Sequence, residues 1–192
     1  MGVLGRLKTE IAVERPDLVA APVLAALLRW PAEAPFGVAQ VLVAPIDPEL
    51  ADTAAFCAAY EVGLEVSANC VIIAGKRDGE IRYAACMILA TTRADVNGVV
   101  RRHLDVRKAS FAPMAEAVEL TGMEYGGITP IGLPAGWPIL VDAAVAPAGP
   151  SPLVVIGSGL RSSKIVLPGA ALATLPGAVV VPGLANALPP AT

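Results

Sequence analysis

The stretch TGMEYGGITPIG, Thr121 to Gly132, sets Gly126, Gly127, Ile128, Thr129 and Pro130 between a helix-like run and a strand-like run. Glycine reaches φ > 0 and, having no Cβ, lets a ligand come up against the main chain. Pro130 fixes its own φ and offers no N–H, so it stiffens one end of the loop. Successive amides in such a turn can converge on an anion as a nest. If that anion is the tetrahedral intermediate of an ester, the loop is an oxyanion hole, with the Thr129 hydroxyl as an added donor. The same residues also suit a plain helix C-cap and turn. They match neither a Walker A loop nor G-x-G-x-x-G.

A second stretch, GSGLRSSK, follows an apolar run with Gly157, Ser158, Gly159, Arg161 and Lys164. It reads as a binding loop whose Arg161 or Lys164 contacts phosphate, or as an ordinary polar turn. Asp142 closes the apolar run PILVD and either orients a partner or caps a turn. Cys70 begins a strand-like run and is a conceivable nucleophile, but no partner base is visible. Cys57, Cys70 and Cys86 have no C-x-x-C or Cys/His spacing, so zinc and a disulfide framework are not expected, and buried thiols are. His103 lies beside Arg101 and Arg102 and reads as a surface residue. No G-x-S-x-G or H-E-x-x-H pattern occurs.

These residues must be positioned by a chain of 192 residues, 55% hydrophobic and 16% charged. Such a length and composition predict one domain with an ample core. The net charge of −3 argues against tight nonspecific nucleic-acid binding, and the clusters Lys76-Arg77, Arg101-Arg102 and Arg107-Lys108 read as solvated faces. No apolar run reaches the ~20 residues of a membrane span, and MGVLGRLKTEIAVERP does not read as a signal peptide, so the expected compartment is the cytoplasm. Leftover apolar surface would suit a homodimer.

Residues 1–35 read as helical, with Pro16 and Asp17 near a helix start, and GVAQVLVAPI as a strand. DPELADTAAFCAAY reads as a helix capped by Asp47 with Pro48 at its first position. ANCVIIAG and EIRYAACMILA read as strands of a hairpin turning at Asp78-Gly79. A helix capped by Asp95, a short strand in VRKASFA and a helix from Pro113 to Gly122 come next. WPILVDAAV and PLVVIGSGL are strands separated by the linker APAGPS, PGAALATL is a short helix, and the tail PGLANALPPAT is expected to fray. The order predicts an α+β single domain with a mixed, largely antiparallel, curled and barrel-like β-sheet flanked by helices.

ELTGMEYGGITPIGLP, then PILVD, then LVVIGSGLRSSKIVLPGAAL resemble, in that order, the YbaK-type domains. That family includes the editing domain of bacterial prolyl-tRNA synthetases and its freestanding relatives. The resemblance covers roughly residues 45 to 178 and implies three parts: an N-terminal extension, 1–45; an editing domain, 46–178; and a tail, 179–192. It implies a hydrolase that cleaves the ester of mischarged aminoacyl-tRNA without a cofactor. The partners implied are the aminoacyl-tRNA 3′ end and, as a second candidate, a synthetase, with no membrane. The G-x-x-x-P loop, Gly126 to Pro130, would cradle the aminoacyl carbonyl, and the terminal ribose hydroxyl would help activate water. Asn69, Cys70, Asp142, Gly157, Ser158, Gly159 and Arg161 would bind substrate.

One position departs from the family. Asn69-Cys70-Val71 stands where members usually carry a Lys serving the terminal nucleotide. Asn supplies a hydrogen bond but no charge. Three alternatives follow: Lys76, Arg161 or Lys164 substitutes, the substrate scope has changed, or the domain binds a ligand or tRNA without turning it over.

Overall fold

The computed structural model describes residues 4–31, 34–149 and 151–188. The chain forms eleven strands and five helices among these residues: β1 (Glu10–Ile11), α1 (Ala21–Leu28), β2 (Leu42–Pro45), α2 (Thr53–Tyr60), β3 (Ala68–Arg77), β4 (Glu80–Leu89), β5 (Thr92–Ala94), α3 (Arg101–His103), β6 (Ala109–Phe111), α4 (Met114–Thr121), β7 (Ile139–Asp142), β8 (Leu153–Gly157), β9 (Ser163–Pro168), α5 (Gly169–Leu172), β10 (Ala178–Val181) and β11 (Ala185–Ala187). Parts of three expectations lie outside the described residues: the helix at 1–3 and 32–33, the linker at 150 and the tail at 189–192.

Two sheets dominate. One runs β1-β2-β9-β8 and is antiparallel throughout. The other runs β10-β7-β4-β3-β6, with parallel pairing at β10–β7 and β7–β4 and antiparallel pairing at β4–β3 and β3–β6. β5 and β11 form a small antiparallel pair. The fold is therefore mixed α+β, as expected, but neither sheet closes on itself. The barrel-like closure expected from the many short strands is not found.

Strand periodicity sorts the core. In β4, Ala85 and Met87 face one cluster while Ala84, Cys86 and Ile88 face another. In β9, Ile165 and Leu167 point inward and Val166 points outward; in β8, Val154 and Ile156 point inward and Val155 outward. The inward sets of both sheets meet in one core with Val23 and Leu27 of α1. Phe56 and Cys57 of α2 cover the outer face of the four-stranded sheet. Val100, Leu104 and Val106 cover that of the five-stranded sheet. Sheets buried on both faces need near-continuous apolar strands, which is why PILVD and LVVIG show no alternation. Each fully buried Leu or Ile contributes about 1.5–3 kcal/mol.

Local chemistry explains most boundaries. Asp78 and Gly79 both take positive φ, +52° and +91°, closing the β3–β4 hairpin as a primed turn. Gly122 ends α4 in the left-handed region. The Asp95 carboxylate accepts from the Gly98 and Val99 amides, capping a π turn, Val96–Val100, that runs into α3. Asp47 caps only a 3-10 turn, Pro48–Leu50, and α2 starts later under its own cap, Asp52. The N-terminal helix is shorter than expected. Pro22 is tolerated only in a first turn, so α1 begins there and 3-10 turns at Ala12–Glu14 and Pro16–Leu18 precede it. The tail expected to fray instead supplies β11 through residue 187. No helix among the described residues is long and apolar enough to cross a membrane.

Candidate active site

A cleft of about 460 Å³ opens where the two sheets join. Ser67, just before β3, bridges to Val155 of β8, so the start of β3, the end of β8 and the start of β9 lie together. Asn69 and Cys70 of β3 line the cleft, as do Gly157, Arg161 and Lys164, Gly126 and Ile128, and Asp52 and Thr53 at the start of α2. Phe111 and Tyr125, 51% and 59% exposed, stand with Met114 at its rim. Ala68, Ala117 and Ile156 make its wall apolar.

The two glycine turns interlock. The Gly159 amide donates to the Gly127 carbonyl at 2.7 Å, and the Glu124 amide donates to the Gly159 carbonyl at 2.8 Å. The Glu124 carboxylate accepts the Arg161 amide at 2.6 Å. A Cβ on Gly127 would lie 2.5 Å from the Leu160 carbonyl oxygen, and one on Gly157 would lie 2.3 Å from that of Gly127. These positions are glycine because backbone packs on backbone. Gly126, at φ +83°, is glycine for its conformation.

In this loop the Gly127 amide is used by the Glu124 carbonyl at 2.9 Å, and the Thr129 amide reaches the Met123 sulfur at 3.5 Å. The amides of Gly126 and Ile128 have no partner among the described residues.

Charge enters from the opposite wall. Lys164, 7% exposed, donates to the Ala51 carbonyl at 3.0 Å and sits 5.2 Å from the Phe56 ring centroid. Burial holds its ammonium below the ordinary lysine range. No carboxylate pairs with it among the described residues. Arg161 donates to the Tyr125 and Pro48 carbonyls, both at 3.1 Å, and so ties the glycine loop to the turn before α2. The Asn69 side-chain oxygen accepts the Thr53 hydroxyl at 2.8 Å. Cys70 also faces the cleft, but burial pushes its thiol well above the ordinary range, with the Cys86 thiol adding to the shift. Such a thiol is a poor nucleophile.

Six expected site residues lie outside the cleft lining, among them Gly127, which packs on the Leu160 backbone. Thr129 is fully buried and does not line the cleft; its hydroxyl has no partner among the described residues. Pro130 lines a separate groove. Ser158 is buried against Ser163, their hydroxyl oxygens 2.7 Å apart. Gly159 packs on Ala20. Asp142 accepts the Ala144 amide at 2.8 Å and the Ala185 amide at 2.9 Å, fixing the turn after β7 and the start of β11. Of the three cations considered in place of the family lysine, Lys76 lies far along β3 near the hairpin, while Arg161 and Lys164 line the cleft.

The separate groove, about 770 Å³, lies between Trp30, Pro130, Trp137 and Leu175. It is larger, and Arg29 is the one ionisable side chain that lines it among the described residues. No group of three or more His, Cys, Asp or Glu able to hold a metal occurs among the described residues.

Residues 47–175 match the family described as "Aminoacyl-tRNA editing domain". The fold is similar to a crystal structure described as a "putative trans-editing enzyme for prolyl tRNA synthetase", with a TM-score of 0.67 and 20% identity over 84% of this chain and 93% of that one. It is similar to a scaffold protein from computational epitope grafting, TM-score 0.65 and 20% identity, over 87% and 96% of the two chains. A hypothetical protein matches with TM-score 0.61 and 22% identity, over 76% and 90%. No curated protein sequence matches.

Proposed function

The chain belongs to the aminoacyl-tRNA editing domain family, and from that premise we propose that it is a trans-acting hydrolase that removes the amino acid from mischarged tRNA. The observation that carries this reading is the meeting of unbonded amides, Gly126 and Ile128, with a buried cation, Lys164, in one cleft. We place the catalytic unit at 46–178, supported by the match to residues 47–175, with 1–45 and 179–192 as segments whose strands β1, β2, β10 and β11 complete its sheets.

In this mechanism the aminoacyl carbonyl oxygen points at the Gly126 and Ile128 amides. Water attacks the carbonyl carbon, and the negative charge that builds on oxygen is met by dipoles already oriented. The adjacent ribose hydroxyl positions that water. The ester C–O bond then breaks, the ribose oxygen takes a proton and the amino acid leaves. Lys164 supplies positive charge toward the terminal nucleotide in place of a lysine at position 69. Phe111, Met114 and Tyr125 give the terminal base an apolar rim to stack on. The walls at Ala68, Ala117 and Ile156 admit a small side chain, and each excess methylene is rejected by about 1–3 kcal/mol. The substrate is made in the cytoplasm, where we expect the protein to act, alone or beside a synthetase.

A panel of mischarged tRNAs tests the proposal. Hydrolysis of at least one, lost in Gly126→Val with the fold retained, supports it. The second reading, a binding module without turnover, is favoured by Asn69 and predicts saturable binding with no release of amino acid from any tRNA in the panel.

A further inference from the structure

Positive charge is unevenly distributed along this acidic chain. Residues 76 to 108 hold eight of its 14 Lys and Arg but four of its 17 Asp and Glu. The fold gathers much of that charge at one end of the five-stranded sheet. Gly75 of β3 pairs with Ala109 of β6, so Lys76 and Lys108 stand one step beyond the last paired residues. Arg107 precedes Lys108, and Arg102 lies on α3, whose following residues Leu104 and Asp105 accept hydrogen bonds from Arg82. Lys76, Arg102, His103, Arg107 and Lys108 are all exposed.

The carboxylates there, Asp78, Glu80 and Asp105, are outnumbered by Lys76, Arg77, Arg82, Arg102, Arg107 and Lys108. Asp105 is shared by Arg77 at 2.8 Å and Arg82 at 3.4 Å, and Asp78 also lies 3.4 Å from Arg77. Lys76, Arg102, Arg107 and Lys108 have no ion pair among the described residues. Like charges facing one another across strands are destabilising unless something neutralises them. The lysine and arginine face therefore fits an anionic partner.

The patch is continuous with the cleft. From Lys108, edge strand β6 runs through exposed Ser110 to Phe111 at the cleft rim. Along β3, Asn69 in the cleft and Lys76 in the patch are seven residues apart, roughly 23 Å at the usual strand rise. We propose that the sheet end carrying Lys76, Arg102, Arg107 and Lys108 docks the phosphate backbone of duplex RNA, while the single-stranded end beyond the duplex runs along β6 into the cleft. This rests on the reading of the cleft as the site for a tRNA 3′ end. It adds a second contact region that takes the stem by charge and shape, without reading its sequence.

The test uses the full chain and an uncharged RNA hairpin with a short single-stranded 3′ end, followed by fluorescence anisotropy at two salt concentrations. The combined variant Arg102→Gln, Arg107→Gln, Lys108→Gln alters exposed side chains. It should bind at least about tenfold more weakly at low salt, with the slope of log K against log salt reduced by about 3. Ser110→Glu, on the path between the regions, should weaken binding severalfold by repulsion. Hydrolysis of an aminoacylated trinucleotide, which has no stem, should be unchanged in the triple variant. Unchanged hairpin affinity and salt slope in a folded triple variant would overturn the proposal, as would tight capture of an acidic peptide with no hairpin binding. Because the hairpin carries no amino acid, hairpin binding lost in the triple variant supports the docking face even if no substrate is hydrolysed.

Discussion

Gly159 donates its amide to the Gly127 carbonyl at 2.7 Å, joining the two glycine turns that wall one side of the cleft. Neither turn holds its shape alone, so the Gly126 and Ile128 amides depend on residues more than thirty positions downstream.

Gly127→Ala and Gly157→Ala should therefore each lower stability by about 1–3 kcal/mol through overpacking against the opposing backbone. Hydrolysis should fall further than stability does, since the donor pair is displaced. Gly136→Ala is the control: it has positive φ but nothing within 4 Å of a Cβ, so strain alone remains, about 1–2 kcal/mol. Urea unfolding and turnover under folding conditions give both quantities. Equal loss of activity in all three variants would count against a built donor site.

Lys164 is costly to bury, since its ammonium finds a carbonyl and an aromatic ring but no carboxylate among the described residues. Lys164→Met should raise stability by about 1 kcal/mol or more while lowering kcat/KM at least about tenfold. Asn69→Lys in that background should restore much of the loss, because both positions line the cleft. No recovery would show that the charge must come from β9.

Burial lowers the Lys164 pKa from its ordinary 10.5. Between the lowered folded value and 10.5 the unfolded chain binds more protons than the folded one, so stability rises with pH across that window. Below the folded value the penalty is present in full. Activity runs the other way and falls as the ammonium is lost, below the pH at which an exposed lysine titrates. Lys164→Met should flatten both profiles, as read by thermal melts and a pH–rate series.

Thr129→Val should leave hydrolysis within about twofold and stability unchanged or up to about 1 kcal/mol higher. It removes a buried hydroxyl without a partner and keeps the shape. A large loss of activity would return Thr129 to the catalytic set.

Cys70→Ala should keep turnover, and the Cys70 thiol should resist alkylation at neutral pH, since burial favours its protonated form. Abolished turnover in a folded Cys70→Ala protein would point to covalent catalysis instead.

What could be read from the sequence is local. Asp78-Gly79 announces the hairpin because its turn needs two positive-φ residues, and Pro113 with Gly122 brackets α4 because each has a fixed place at a helix end. The glycine loop and the Arg161 turn were also visible, because glycine has few substitutes where backbones touch. Which of their groups face the cleft was not. Thr129 and Ile128 are adjacent, yet one is fully buried and the other lines the cleft. GSGLRSSK reads as a binding loop or a polar turn through Lys164, whereas Lys164 lies in β9, whose partners β2 and β8 flank it. β10 and β11 were missed because their hydrogen bonds go to β7 and β5, far back in the chain. The barrel expectation had the same origin: strand count is local, but closure depends on distant edges meeting.

The pairing of Leu42 with Val166 sets a schedule for biosynthesis. While the ribosome is still making the middle of the chain, β2 has no neighbour on its β9 side, and the face of α2 bearing Phe56 has no sheet to cover. Long-range pairing of this kind folds slowly and leaves apolar surface open to self-association. Nascent chains stalled before Ser163 should need a holding chaperone, and those released after Pro168 should not.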